Sequence, residues 1–276
     1  MPPLTIVITG ATSGIGQVAA ERLAQQGARI VQIARNQARG ESTLARLHAI
    51  NKAGHTIHYA DLSRLSEMKR VAHEVAAAEP RIDVLINNVG AMYNSRIVTE
   101  DGLELTFATN HASYFVLTLG LLDRLKPGAR IVNTASDAHR GAKLDFNDLQ
   151  SANGYGGFEA YRKSKLANIL FTRELARRVP SGVTANSLHP GFVSTRFGNE
   201  SGGLLASFFR FAKLFAISPE KGAETIVYLA SSPEVAGVTG EYFYKCKRSI
   251  PTKEAQDDIS AQRLWDETGR LTGVRL

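Results

Sequence analysis

Cysteine is nearly absent from this chain: 276 residues contain one, Cys246. A single thiol closes no intrachain disulfide and supplies no Cys-based zinc site, so secreted disulfide scaffolds and zinc fingers are excluded. A reducing, cytoplasmic setting is the simplest expectation. Long apolar runs are missing too. No stretch reaches the roughly 18 uninterrupted apolar residues of a membrane-spanning helix, and residues 1–10, MPPLTIVITG, lack the basic start, apolar centre and small-residue cleavage site of a signal peptide. No membrane span is expected. Acidic residues are in deficit, 26 Asp and Glu against 33 Lys and Arg, for a formal net charge of +7. That excess suits an anionic cofactor, a nucleic acid or an acidic membrane surface without choosing among them. No internal repeat, low-complexity tract or linker divides the chain, and its length fits one large core.

Short β-branched runs alternate with longer segments of helical period. The strands are expected at Leu4–Thr9, Arg29–Ala34, Thr56–Tyr59, Ile82–Ile86, Arg130–Thr134, Val183–Leu188 and near Glu241–Tyr244. Residues 15–26, 37–52, 64–78, 101–124, 158–179 and 219–231 read as helices long enough to cross from one parallel strand to the next. Repeated βαβ units of this kind give a parallel sheet covered by helices on both faces.

The first strand runs into Thr9-Gly10-Ala11-Thr12-Ser13-Gly14-Ile15-Gly16 and then a helix with Ala19, Ala20 and Ala24. Phosphate binding needs backbone N–H groups at the positive end of a helix, and glycines let the chain turn sharply and approach without a Cβ. A dinucleotide pyrophosphate fits here; a purely structural turn is the alternative. The spacing differs from the nucleoside-triphosphate loop, and no Lys follows Gly16. Strand 2 ends Ile33-Ala34-Arg35-Asn36, where a dinucleotide fold meets the adenosine ribose. An acidic residue there would select NAD(H). Arg35 offers a 2′-phosphate a bidentate cation, and Ser13 could add a hydroxyl, so NADP(H) is preferred unless Arg35 is simply a surface residue. Asp61, ahead of Leu62, could accept from an adenine amino group or cap the helix that follows.

The seven histidines show no ligand spacing with carboxylates: His55 and His58 lie three apart at the expected third strand, an extended spacing that faces them opposite ways, and no metal site is expected. The G-x-S-x-G elbow of serine hydrolases is absent. A stronger candidate lies in the 158–179 helix, where Tyr161 and Lys165 stand one turn apart on one face. Of eight tyrosines, only Tyr161 has a lysine four residues later. Bringing a phenol from about 10 to near 7 means stabilising its anion by roughly 4 kcal/mol, which a nearby ammonium and a cationic nicotinamide could supply.

With Thr9-Gly10-x-x-x-Gly14-x-Gly16, Asp61-Leu62, Asn87-Asn88-Val89-Gly90, Asn110, Ser136, Tyr161-x-x-x-Lys165 and Pro190-Gly191 in this order, the chain resembles the short-chain dehydrogenase/reductase family. The resemblance runs from Thr5 to about Tyr244 and implies an α/β, single-domain, doubly wound Rossmann-type sheet spanning residues 1–276. It further implies that Tyr161 is the general acid/base and Ser136 polarises the substrate carbonyl. Lys165 would bind the nicotinamide ribose and lower the tyrosine pKa, while Asn110 holds a relay water. Asn87 would support the cofactor site structurally, Asn88 belongs to the cofactor-binding set with Gly10, Ser13, Gly14, Ile15 and Gly16, and Val193 and Thr195 would follow Pro190 and Gly191 against the nicotinamide. Val89 departs from the family's usual alanine. Dimers or tetramers through helices that include 158–179 are common in the family.

Twenty-four residues separate Ser136 from Tyr161, a long interval containing Leu144-Asp145-Phe146-Asn147-Asp148-Leu149; with Ser164-Lys165-Leu166-Ala167-Asn168 and Leu188-His189-Pro190-Gly191 it resembles the retinol-dehydrogenase-like branch. That branch usually uses NADP(H) on retinoids, lipid aldehydes or other apolar carbonyls and alcohols. Its common N-terminal membrane segment is not carried over as an expectation, because the first strand starts by Leu4. Residues 199–218 fall where the family places a substrate lid. There Leu204, Leu205, Phe208, Phe209, Phe211, Leu214 and Phe215 suit a lid over an apolar substrate, core or subunit packing, or an interfacial membrane contact. Two other classes of function compete: a non-catalytic NADP-binding regulatory or interaction protein, and a nucleic-acid binder drawn from the net charge and Lys245-Cys246-Lys247-Arg248. No nucleic-acid module is legible, and none is expected as a partner.

Overall fold

The structure, a computed structural model, describes residues 3–191 and 217–276. Val193, Thr195 and nearly all of the expected lid at 199–218 lie outside the described residues.

The apolar runs build one sheet. Its strands are β1 (Thr5–Thr9), β2 (Arg29–Ala34), β3 (Thr56–Tyr59), β4 (Ile82–Asn87), β5 (Leu125–Thr134), β6 (Thr184–Leu188), β7 (Tyr242–Tyr244) and β8 (Lys247–Arg248), in the order β3-β2-β1-β4-β5-β6-β7-β8. All neighbours through β7 are parallel, and β8 returns antiparallel. Ile6, Val7, Ile8, Ile30 and Val31 are inaccessible to solvent, as a strand covered on both faces requires. The order reverses between β1 and β4, so the carboxyl ends of β1, β4, β5 and β6 open onto one crevice.

Helices α1 (Gly14–Gln25), α2 (Gln37–Ile50) and α3 (Leu65–Ala78) follow the first three strands. A single turn α4 (Leu105–Phe107), a π-helical turn Ala108–Ala112 and α5 (Ser113–Leu121) make one continuous helical segment, and α6 (Gly157–Arg178) is the longest helix among the described residues. The chain continues with α7 (Pro219–Ser231) and α8 (Asp258–Thr272). Ala19, Ala20 and Leu23 of α1 pack with Ala223 and Ile226 of α7 on one face of the sheet, while Met68 and Val71 of α3, Phe115 of α5 and Phe171 of α6 pack on the other. The expected helix 101–124 begins later, at Leu105, because the Glu104 carboxylate accepts from the backbone N–H of Thr106 and Phe107, both at 2.8 Å, and fixes the start. The fifth strand begins earlier than expected, at Leu125, and His55 lies ahead of β3, its Nδ1 accepting from Ile30 N at 3.0 Å.

Helix α8 was not expected from the sequence. Its Trp265 ring meets Phe115 at 5.0 Å and stacks on Phe171 at 5.8 Å, with the Arg178 guanidinium 4.8 Å from the indole centroid. Asp258 at its first turn pairs with Arg173 and Arg177 of α6. The helix thus covers part of the α6 flank. Trp265→Ala removes a large ring from this buried cluster and is expected to lower unfolding free energy by about 3–5 kcal/mol in denaturant titration. A loss below about 1 kcal/mol, the scale of a surface change, would mean that α8 is not part of the core.

Candidate active site

The glycine turn after β1 has the geometry its residues dictate. Gly10 sits at φ +71°, and a Cβ on Gly16 would lie 2.3 Å from the Gly10 carbonyl oxygen, so neither position accepts another residue without a shift of backbone. Ser13 is the N-cap of α1 yet its hydroxyl does not cap the helix, and the first turn carries no acidic residue. The positive end of α1, with Gly14, Ile15 and Gly16, is therefore left for an anionic group. These features fit a dinucleotide pyrophosphate. Arg35 and Arg39 are exposed at the β2–α2 junction, and neither side chain has a partner among the described residues. Arg39 is a second cation that the sequence reading passed over; the Asn36 side chain receives its backbone N–H at 2.9 Å and starts α2 there.

The neighbouring positions hold the strand ends together. Asp61 accepts from Ser63 N at 3.1 Å and Ser63 Oγ at 2.8 Å, both through Oδ1, a turn that leads into α3. Leu62 is buried in the core. Asn88 donates to the Thr9 carbonyl at 3.2 Å and receives Thr134 Oγ1 at 3.4 Å, tying together the ends of β1, β4 and β5. Asn87 lies beneath, donating to Thr118 Oγ1 at 3.0 Å and Asn133 Oδ1 at 2.9 Å. The Val89 carbonyl accepts from the Tyr114 hydroxyl at 2.8 Å. Pro190 and Gly191 follow β6 at the same edge, and Gly191 N donates to His189 Nδ1 at 3.2 Å.

Ser136, Tyr161 and Lys165 come together at the carboxyl end of β5. Ser136 caps the short turn Asp137–His139, its Oγ receiving Ala138 N at 3.2 Å, and its side chain also hydrogen-bonds Tyr161. One turn along α6, the buried Lys165 places Nζ 5.6 Å from the centre of the Tyr161 ring and donates to the Thr134 carbonyl at 3.1 Å. Burial dominates both ionisations. It pushes the Tyr161 phenol up to about 12, against the opposing effect of the Ser136 hydrogen bond, and draws the Lys165 ammonium down to about 7. Burial thus leaves the phenol protonated near neutrality, the reverse of the lowering expected from Lys165, and weakens the amine's hold on its own proton.

Asn110 lies in the π-helical turn, and its side chain reaches the loop after β4. Its Oδ1 receives Ala91 N at 2.8 Å, while Nδ2 donates to Ala91 O at 2.8 Å and Ser164 Oγ at 2.9 Å. The side chain clamps that loop to α6. Among the described residues no group of three or more His, Cys, Asp or Glu could hold a metal ion, and no helix is long and apolar enough to cross a membrane.

A crossover site of this kind, with a glycine turn at one end and a tyrosine–lysine pair at the other, fits the class of nicotinamide-dependent oxidoreductases of alcohols and carbonyls. A family model described as short chain dehydrogenase matches residues 4–202, and the chain belongs to that family. It is 39% identical to human retinol dehydrogenase 13 over 284 residues, covering 99% of this chain and 86% of that protein. It is 40% identical to mouse retinol dehydrogenase 14 over 287 residues, at 98% and 86% coverage. Among solved structures, an uncharacterized protein from Mycobacterium paratuberculosis superposes with a TM-score of 0.78 at 32% identity, over 99% of this chain and 96% of the other. A short chain dehydrogenase from Burkholderia cenocepacia in complex with NADP gives a TM-score of 0.70 at 26% identity, over 87% and 95%.

The lysine ionisation has a signature in stability. The unfolded chain binds a proton at Lys165 up to about 10.5 and the folded chain only to about 7, so between these values unfolding takes up a proton and stability rises with pH. Lys165→Met lacks this contribution. In thermal melts from pH 7 to 10, wild type should gain stability relative to Lys165→Met; a constant difference across that range would contradict the depressed amine.

Proposed function

We propose that this protein is an NADP(H)-dependent oxidoreductase that moves hydride between nicotinamide and an apolar aldehyde or ketone, or the corresponding alcohol. The observation that carries the reading is Tyr161, hydrogen-bonded to Ser136 and one helical turn from a buried Lys165, at the carboxyl edge of the sheet. Bound in this groove, a nicotinamide would supply the hydride acceptor or donor. Every other step belongs to side chains. Ser136 and Tyr161 hold the carbonyl oxygen of the substrate, and in reduction Tyr161 gives that oxygen its proton, the form the buried phenol already has. Lys165 receives the nicotinamide ribose and, when protonated, stabilises the phenolate left behind. Asn110 keeps the loop after β4 and the start of α6 in register. Gly10, Ser13, Gly14, Ile15 and Gly16 form the pyrophosphate cradle, with Asp61, Leu62, Asn88, Pro190 and Gly191 completing the groove.

Preference for NADP(H) over NAD(H) rests on Arg35 and Arg39, two exposed cations whose side chains have no partner among the described residues, where a 2′-phosphate would lie. The NADP complex of the Burkholderia relative agrees with it. An apolar substrate is supported by the relatives named retinol dehydrogenase, whose named substrate is a long apolar alcohol.

Tyr161→Phe is expected to keep NADPH binding, followed by nucleotide fluorescence, while turnover falls by at least about 100-fold, the scale of lost acid–base catalysis. Near-normal turnover would refute the assignment. Arg35→Ala should lower kcat/KM for NADPH by about 10- to 100-fold, one charge-assisted phosphate contact, and leave NADH little changed. The deciding assay is oxidation of NADPH and NADH against a panel of aldehydes, ketones and quinones. Better use of NADH by the wild-type protein would overturn the cofactor reading.

A further inference from the structure

His139 is fully buried, three residues beyond Ser136, and has no part in the chemistry proposed above. Its two ring nitrogens face backbone groups of opposite kind. Nδ1 lies 2.7 Å from the Ser136 carbonyl oxygen, which only accepts, and Nε2 lies 3.3 Å from Thr252 N, which only donates. The pair leaves one arrangement of protons, with hydrogen on Nδ1 and a bare Nε2. Burial disfavours the charged ring, in keeping with that neutral tautomer. Tyr242 meets the imidazole in an edge contact, centroids 5.3 Å apart and planes at 72°, so the ring is held by packing as well.

The Ser136 carbonyl is the hinge of the turn that aims the serine. It receives both His139 N at 3.2 Å and His139 Nδ1, while the Ser136 hydroxyl receives Ala138 N from the same turn. Thr252 stands 113 residues further along, between β8 and α8. Through one imidazole the serine's peptide is therefore braced against the C-terminal segment. We propose that His139 is a positioning residue: it fixes the Ser136 peptide so that the serine hydroxyl points to the same place as the Tyr161 hydroxyl. The inference rests on the role proposed for Ser136. Misplacing a catalytic group by about 1 Å costs on the order of 100-fold in rate, so a brace on a peptide carbonyl is enough to matter.

Two substitutions separate the arms. In His139→Asn the amide nitrogen replaces Nδ1 and still donates to Ser136, but nothing reaches Thr252. In His139→Gln the amide oxygen replaces Nε2 and still accepts from Thr252, but the donor to Ser136 is gone. With NADPH and an aldehyde that the wild-type protein reduces, His139→Gln and His139→Leu are expected to lose about 10- to 100-fold in kcat, with KM for NADPH within about twofold. His139→Asn should recover at least about tenfold over His139→Gln. In a Ser136→Ala background, His139→Leu should cost no further kcat, because the group it positions is already missing. Thermal midpoints of all variants monitor folding, and if His139→Leu does not fold, the Asn–Gln comparison decides. Equal impairment of Asn and Gln variants, or an undiminished His139→Leu loss in the Ser136→Ala background, would overturn the inference and leave His139 as a packing residue. Near-normal turnover of Ser136→Ala alone would instead sink the reading of the serine itself.

Discussion

A primary amine buried beside a phenol is the interaction on which the rest of this structure depends. An ammonium taken out of water must be given a partner or surrender its proton. Lys165 does some of each: it donates to the Thr134 carbonyl, and its affinity for the proton falls to near neutrality. That carbonyl also lies 3.4 Å from the Tyr114 hydroxyl and 3.4 Å from the Asn168 amide nitrogen, so α5 and α6 both converge on the end of β5. Moving either helix by one residue would take its donor away.

The same end of the sheet is supported from below by polar side chains in an otherwise apolar core. Asn87 reaches α5 through Thr118 and β5 through Asn133, and Asn133 reaches α6 through Thr172 at 2.9 Å. His111, next to Asn110 in the π-helical turn, sits 3.4 Å from Asn168 Oδ1 and 2.9 Å from Thr268 Oγ1, carrying the network outward to α8. Burial draws this imidazole down to about 4, so it is neutral at physiological pH and serves as a hydrogen-bonding spacer. Hydrogen bonds of this kind add little net energy each but leave a donor or acceptor stranded if a helix slips, which specifies register more than it adds stability.

Much of this was readable in the chain because local rules dictate it. The glycine turn needs a particular backbone, and Tyr161 and Lys165 share a face through helical period alone. The β-branched runs marked the strands of the sheet from β1 to β7. What escaped the sequence depends on distant partners. Helix α8 has a thin apolar stripe, Ala261, Leu264 and Trp265, among charged residues, and acquires its place only when Phe115 and Phe171 are there to receive the indole. The π-helical turn around Asn110 carries no pattern that distinguishes it from ordinary helix. His139 appears as one more histidine until folding brings Thr252 to its far side. Arg39 was hidden for another reason: only the Asn36 cap, visible in three dimensions, fixes it one turn beyond Arg35.

The positive charge balance of the chain finds partial employment in this arrangement. Arg35 and Arg39 are the exposed cations of the proposed phosphate contact and Lys165 is the buried one, while other cations, such as Arg70 with Glu67 and Glu74, pair with carboxylates on the surface. Surface pairs contribute little, whereas one buried amine ties α6 to the end of β5 in the proposed catalytic centre. Its ionisation in the free protein, followed through the Nζ nitrogen by NMR with Lys165→Met to assign the signal, is the most direct test. A titration near pH 7 is the predicted result; a titration near 10.5, the ordinary lysine value, would contradict the account.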